Sequence, residues 1–132
     1  MGQIGRLLKI RTKRVYEPAK RSDGVRVLID RIWPRGVSKK EAAIDLWLKD
    51  AAPSTALRKW FGHEPARWKK FRIKYRSELA KQRDALAELK KIGRGKTVTL
   101  VYAAHDTDHN NAVALAEYLS RRKPRKARAN PK

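Results

Sequence analysis

The chain has 132 residues, which is enough for one folded domain around one hydrophobic core. It carries 34 Lys and Arg against 13 Asp and Glu, so its formal net charge is +21 and it should attract polyanions or phosphate-bearing small molecules. The lack of cysteine excludes disulfides and thiolate chemistry. No apolar run is long enough for a membrane span and the N-terminus has no signal-peptide core, so we expect a cytoplasmic protein without membrane contact.

Three segments have the residue pattern of β-strands. Residues 7–16 alternate apolar and basic side chains, as in a strand with one solvated face. Residues 25–33 are rich in β-branched and apolar side chains, and Asp23 and Gly24 mark a sharp turn before them. Residues 97–104 are almost continuously apolar, which indicates a central strand that is covered on both faces.

Helical patterns fill the segment between the second and third strands. Ser38 and Glu41 fit a capping box at the start of a short helix. Residues 54–62 predict a helix with a serine N-cap and a glycine after its C-terminus. One long helix is predicted over 65–92, and a final helix over about 111–119.

The order of these elements predicts the fold class. Strand, strand, helices, strand and helix indicate a single small α/β domain, 1–119, with about three mostly parallel strands covered by helices in Rossmann-like layering. Residues 120–132 hold seven Lys or Arg, two prolines and no aliphatic side chain larger than alanine. They cannot bury enough apolar surface to offset their ordering entropy, so we predict a basic, disordered tail.

The heptapeptide DRIWPRG, residues 30–36, follows the second strand and predicts an anion site. Arg31 and Arg35 supply forked donors, Gly36 lets the backbone approach a ligand, and the helix N-terminus near Lys39 adds N–H groups. The alternative is a structural turn, in which Asp30 pairs with an arginine, a tryptophan packs into the core and a serine caps the helix. Two arginines and one tryptophan within five residues leave both interpretations open.

A second polar segment, HDTDHNN at 105–111, follows the third strand. Asp106 could act as a general base beside a histidine, and Asn110 could complete a polar rim. The alternative is that such residues form turns and cap the last helix. His105, Asp106 and His109 also have the ligand types for a divalent metal ion, but this is the weakest interpretation and we expect no metal or cofactor.

The segment WFGHEPARW, residues 60–68, places aromatic side chains at a corner between helices. Trp60, His63 and Trp68 could stack on a base or sugar. Aromatic residues at helical spacing are more often core, and we favour that role for Trp68 and Phe71.

Over about residues 7–119 the chain resembles the YeaO-like branch of the DUF488 family of bacterial domains of unknown function. The resemblance lies in DRIWPRGVSKKEA, in the W-F-x-H motif with the helix after it, and in TLVYAAHDTDHNNAVALAEYL. It implies a small cytoplasmic α/β protein and carries no established reaction. The family motifs fall on Asp30, Arg31, Trp33, Pro34, Arg35, Gly36, Trp60, Phe61, His63, Phe71, Tyr75, Asp106 and Asn110. Lysine is more usual in the family where this chain has His105, which weakens the metal interpretation.

The leading functional hypothesis is a protein that binds an anionic, nucleotide-like ligand at the C-terminal ends of its strands. The predicted ligand-binding residues are Arg31, Arg35, Trp33, Gly36 and Asn110, and the candidates for proton transfer are Asp30, Asp106 and His63. If there is turnover, we expect a hydrolase or transferase that acts on a phosphate- or nucleotide-containing substrate.

The alternative hypothesis is a basic accessory protein that binds nucleic acid without catalysis. It would use one face of the long helix and the tail. These cations are Arg67, Lys70, Lys74, Lys81, Arg121, Arg122, Lys123 and Arg125. Nothing in the sequence indicates a helix-turn-helix, so we do not infer a transcription regulator.

Overall fold

A computed structural model describes residues 8–120, which form one parallel four-stranded sheet flanked by helices. In chain order the elements are β1 (Leu8–Arg14), β2 (Val25–Leu28), α1 (Lys39–Ala42), β3 (Leu46–Trp47), α2 (Thr55–Phe61), α3 (Trp68–Leu79), α4 (Arg83–Gly93), β4 (Lys96–Tyr102) and α5 (Asn111–Ser120). The sheet order is β1-β4-β2-β3. The predicted α/β class is confirmed. The predicted tail lies outside the described residues, apart from Ser120, which ends α5.

The apolar run that predicted a central strand forms β4, which pairs in parallel with both β1 and β2. The predicted second strand is shorter than expected and ends at Leu28. The Ile29 N–H still donates to the Val101 carbonyl of β4. At the next residue the side chain of Asp30, in place of its main chain, accepts the N–H of Ala103, which follows β4. The two-residue strand β3 was not predicted, because it is too short to show an alternating pattern.

The connection from β1 to β2 returns along the sheet and enters β2 through Gly24. This residue has φ of 68°, and a Cβ atom built on it would lie 2.2 Å from the carbonyl oxygen of Thr97. Both the backbone conformation and the close approach therefore require glycine at this turn.

Both short helices begin as predicted, and α2 also ends as predicted. The Ser38 side chain accepts the N–H of Glu41 and the Glu41 carboxylate accepts the N–H of Ser38, which is the predicted capping box of α1. Helix α2 starts after Ser54, whose hydroxyl accepts the N–H of Leu57. It ends at Gly62, which has φ of 52°.

The prediction of one helix over 65–92 was wrong. Residues Pro65–Arg67 form a 3-10 turn, and the remainder is divided into α3 and α4 by a break at 80–82. In the break, the N–H groups of Lys81 and Gln82 donate three residues back, so the helix tightens and stops. The predicted apolar stripe steps seven residues over Gln82, and both helices still bury their part of it. Its members are Trp68, Phe71, Tyr75, Leu79, Leu86 and Leu89.

The two faces of the sheet are covered unequally. One face packs against α2, α3, α4 and α5 in a single large core. The other face is covered by α1, by the loop that carries Trp33 and by the Trp47 side chain of β3, around a smaller cluster of Val15, Leu28 and Val101. No helix between residues 8 and 120 combines the length and apolar character needed to cross a membrane.

A buried group of charges lies at the edge of the smaller cluster. The Asp23 carboxylate accepts hydrogen bonds from Arg26 Nη1 at 2.6 Å and from Lys13 Nζ at 3.1 Å. The Arg26 Nε atom donates to the Ala42 carbonyl at 2.9 Å. Burial opposes ionisation of Asp23, but the hydrogen bonds from the Lys20 backbone, Lys13 and Arg26 outweigh it, and the pKa of the carboxyl is lowered.

Candidate functional site

A cleft of about 630 Å³ lies at the C-terminal ends of β2 and β4. The loops after these two strands form two of its walls, and the corner between α2 and α3 forms the third. Because β2 and β4 are parallel neighbours, their following loops meet at the same edge of the sheet. The predicted site residues in the lining are Asp30, Arg31, Trp33, Arg35, His63, Asp106 and Asn110.

Asp30 joins the two loops of the cleft. Its Oδ2 atom accepts the backbone N–H of Ala103 at 2.9 Å, and its Oδ1 atom accepts the side-chain N–H of Asn111 at 3.0 Å. The structural-turn alternative included an ion pair between Asp30 and one of the two arginines of the heptapeptide; within residues 8–120 Asp30 has no hydrogen bond or ion pair with Arg31 or Arg35, so that part of the alternative was wrong. The carboxylate accepts hydrogen bonds from the Ala103 main chain and the Asn111 amide instead. Arg31 donates to main-chain carbonyls, and the Arg35 guanidinium group has no hydrogen bond within residues 8–120.

Burial raises the pKa of Asp30, although the hydrogen bonds from Asn111 and Ala103 and the positive charge of Arg58 act in the opposite direction. A carboxyl group with a raised pKa is a candidate for proton transfer. Both of its oxygens, however, are held by structural hydrogen bonds.

Arg31 is directed toward the chain that precedes α2. Its Nη2 atom donates to the Ala52 carbonyl at 3.2 Å and its Nε atom donates to the Pro53 carbonyl at 3.3 Å. The guanidinium group therefore lines the cleft but is partly used to fix its wall.

Trp33 forms part of the wall and is itself fixed. Its indole N–H donates to the Val37 carbonyl at 2.7 Å, and its ring lies edge-on to Trp47 with centroids 5.3 Å apart. Gly36 lies outside the lining of the cleft. The contribution of the α1 N-terminus to an anion site stays a prediction: the capping box uses the N–H groups of Ser38 and Glu41, and Lys39 lies outside the lining of the cleft.

Arg35 and Arg58 are the cleft-lining guanidinium groups without a hydrogen bond or ion pair among residues 8–120. The sequence interpretation included Arg35 but missed Arg58. No local signal separates Arg58 from Lys59, because both are exposed basic residues of α2 and only the packing of the helix directs the first toward the cleft. His63 is exposed at the same rim, with φ of 59°, and its ring lies 6.3 Å from that of Phe61.

The segment after β4 is a tight polar turn. Asp106 accepts the backbone N–H groups of Asp108 and His109, and its Oδ2 atom lies 2.9 Å from Nδ1 of His109. The hydrogen bond with the His109 side chain lowers the pKa of Asp106. Asn110 is buried and caps α5, since its Oδ1 atom accepts the N–H of Val113 and its amide donates to the Asp106 carbonyl.

His105 lies close to a cation. Its Nδ1 atom is 3.4 Å from Nη2 of Arg14. In the part of the chain that the structure describes, no group of three or more His, Asp or Glu side chains is arranged to hold a metal ion.

The aromatic residues near the corner of α2 and α3 belong mainly to the core. Phe71 is buried and stacks on Phe61 with centroids 4.5 Å apart, and Trp68 is partly buried against both. Trp60 lies beneath two cations, with Lys74 Nζ 5.2 Å and Arg67 Cζ 5.3 Å from its ring centroid.

The cations of the alternative nucleic-acid hypothesis are exposed where the structure describes them. Arg67 lies in the 3-10 turn, Lys70 and Lys74 lie on α3, and Lys81 lies in the break after it. The other four fall outside the described residues 8–120. They are Arg121, Arg122, Lys123 and Arg125.

Comparison with known proteins shows the family of the chain. The family model described as "Inactive DUF488-N3 subclade" matches residues 9–132. The chain belongs to the DUF488 family. It is 44% identical to the uncharacterized protein YeaO of Escherichia coli over 112 residues, which cover 85% of this chain and 97% of YeaO. It is 42% identical to the uncharacterized protein Rv3073c of Mycobacterium tuberculosis over 114 residues, which cover 86% of this chain and 96% of that protein. No solved structure matches the chain significantly.

Proposed function

We propose that the cleft binds an anionic, phosphate-bearing ligand of nucleotide type and that the protein acts by binding rather than by turnover. The observation that carries this proposal is the pair of guanidinium groups of Arg35 and Arg58, which line one cleft and have no hydrogen-bond or ion-pair partner among residues 8–120. Guanidinium groups offer forked donors that match phosphate oxygens. Two such groups in one cleft favour the binding of an anion from solution.

The remaining lining supports a ligand with an apolar or planar part. Trp33, Phe61 and Phe71 contribute aromatic surface, and the exposed side chain of Ile32 extends the wall. A cleft of about 630 Å³ has the usual size of a small-molecule site. A nucleotide combines a planar base with a phosphate, so it fits both kinds of surface.

The state of the two carboxylates supports binding without catalysis. Asp30 and Asp106 both accept structural hydrogen bonds that shape the cleft, so both carboxylates already have a role in holding its walls. The family model that matches the chain is itself described as an inactive subclade. A hydrolase or transferase role for Asp30 or Asp106 is therefore less well supported than binding.

Calorimetric titration with inorganic phosphate and a panel of nucleoside mono-, di- and triphosphates tests the proposal. Arg35→Gln and Arg58→Gln should each lower the affinity for the nucleotide by about tenfold or more, because a hydrogen bond to a charged group contributes about 1.5–3 kcal/mol. Lys59→Gln is the matched control, since Lys59 is an exposed basic residue of α2 outside the cleft lining. The proposal fails if wild type binds none of these compounds, or if both arginine variants bind like the control.

A separate assay addresses turnover. Wild type incubated with the tightest-binding nucleotide should release no new phosphate-containing product over hours. Release of product that disappears in Asp30→Asn would replace the binding proposal with hydrolysis or transfer at the same cleft.

Nucleic-acid binding is the second candidate. It is favoured by one observation, the exposed cations Arg67 and Lys74 beside the Trp60 ring, with Lys70 exposed on the same helix as Lys74. Binding through phosphate contacts predicts that the affinity for duplex DNA decreases with salt, with a log–log slope of about −0.9 per contact. Lys70→Gln with Lys74→Gln should reduce that slope by about 2. Binding that does not respond to salt would contradict this candidate.

A further inference from the structure

The two edges of the sheet differ in length and cover. At one edge β3 has only two residues, Leu46–Trp47. At the other edge β1 has seven residues, Leu8–Arg14, all registered against β4 on their inner side. A strand of that length with a free outer side is a template for another strand, and folded proteins usually shorten or cover such edges.

The hydrogen-bond pattern shows which backbone groups of β1 point outward. The Val15 N–H donates to the Tyr102 carbonyl at 2.7 Å, so Tyr102 bridges residues 13 and 15 and the odd-numbered residues face β4. The N–H and C=O groups of Ile10 and Thr12 therefore point away from the sheet. They have no hydrogen-bond partner within residues 8–120.

Side chains next to this edge form an accessible surface on each face of the sheet. On the helical face, a shallow groove of about 640 Å³ runs between β1 and the helices α3 and α5, with Val113 and Ala116 among its lining. The cationic residues of the groove are Arg72 and Arg76, and Glu117 forms an ion pair with Arg72 at 2.9 Å. On the opposite face Lys9 and Arg11 are exposed.

The geometry points to the outer edge of β1 as a docking site for an acidic, extended segment of a partner protein. The segment would add a fifth strand by bonding to the N–H and C=O groups of Ile10 and Thr12. Its alternate side chains would fall into the groove and over Lys9 and Arg11, because side chains of a strand alternate between faces. Acidic side chains of the segment on the face of Lys9 and Arg11 would lie next to these two cations.

Charge argues against the other occupants of this edge. A second copy of the chain paired through β1 would place Lys9 and Arg11 against the same cations, and like charges directly opposite each other destabilise strand pairs. Residues 121–132 follow Ser120 at the groove, but they contain seven Lys or Arg and no acidic residue. An acidic partner has the complementary charge.

The test uses a capped peptide that alternates glutamate with valine and has the length of β1, seven residues. Its affinity for the full chain is measured by fluorescence anisotropy, with a lysine–valine peptide as the charge control. Thr12→Pro should weaken binding of the acidic peptide at least about tenfold, since it removes an outward N–H that the sheet does not use. Thr12→Val keeps that N–H and should bind like wild type.

A second variant keeps the proposal testable if Thr12→Pro fails to fold. Lys9→Glu with Arg11→Glu changes two exposed side chains, removes the hydrogen bond from Arg11 Nη1 to the Ser22 carbonyl, and should reverse the preference, so that the lysine–valine peptide binds more tightly than the glutamate–valine peptide. The proposal is overturned if wild type binds neither peptide at millimolar concentration, or if Thr12→Pro is folded and binds like Thr12→Val. Tight binding of a single-stranded oligonucleotide that Thr12→Pro leaves unchanged, without peptide binding, would assign these cations to nucleic acid instead.

Discussion

The Asp30 carboxylate accepts the backbone N–H of Ala103 at 2.9 Å and so connects the loop after β2 to the loop after β4. With the second hydrogen bond from Asn111, this contact fixes the two walls of the cleft relative to each other. The carboxyl group that the sequence suggested as a candidate for proton transfer therefore holds the shape of the cleft.

The pH dependence of Asp30→Asn should reveal that role. The amide loses one of the two accepted hydrogen bonds, at a cost of about 1–3 kcal/mol. Burial raises the pKa of Asp30 in the folded chain, so the folded state holds this proton more tightly than the unfolded state. The stability advantage of wild type over the variant is therefore largest at acidic pH and decreases as the pH rises above the ordinary carboxyl value of 3.8. Urea unfolding from pH 3 upward measures it, and a difference that grows with pH would contradict the assignment.

Removal of Asp23 should be among the most destabilising substitutions in this chain. Asp23→Ala leaves Arg26 buried without its counter-ion, which costs about 3–5 kcal/mol. Lys13→Gln is the matched control, because Asp23 keeps its contact with Arg26 and the expected loss is about 1 kcal/mol. Denaturant unfolding of both variants at neutral pH provides the comparison. Equal losses would show that Arg26 is stabilised by something other than Asp23.

Two glycines with positive φ should respond differently to alanine. Gly24→Ala places a Cβ atom 2.2 Å from the Thr97 carbonyl oxygen, so we expect a loss of at least about 3 kcal/mol or failure to fold. Gly36→Ala meets no atom within 4 Å and should cost only about 1 kcal/mol for its backbone conformation. Thermal unfolding measures both. A similar loss at the two positions would mean that steric contact with β4 is unimportant at Gly24.

Ser54 holds the start of the helix that carries Arg58. Its hydroxyl accepts the Leu57 N–H and donates to Glu78 Oε2 at 2.5 Å, so Ser54→Ala should cost about 1–2 kcal/mol. The exposed Ser77 makes only a 3.5 Å contact with the Ile73 carbonyl, and Ser77→Ala should be nearly neutral. Chemical denaturation distinguishes the two. A neutral Ser54→Ala would show that Glu78 alone holds the helix N-terminus through the Ser54 N–H.

The boundaries that sequence predicted well are those set by local chemistry. The serines and glycine at the ends of α1 and α2 act through hydrogen bonds to residues within four positions, and their pattern is visible in the chain. The break at 80–82 was not visible, because the residues around it have no strong helix-breaking side chain and the apolar stripe continues across it.

The sequence by itself determined the α/β class, the central strand and the loops that border the cleft, since hydrophobic periodicity and strand order set which segments lie at the C-terminal edge of a parallel sheet. Only the tertiary structure decided how each polar group in those loops is used. Asp30 accepts hydrogen bonds from Ala103 and Asn111 instead of an arginine, and Arg58 faces the cleft whereas Lys59 does not. These hydrogen bonds and side-chain directions depend on contacts between residues as many as 81 positions apart in the sequence, and the local sequence pattern carries no information about them.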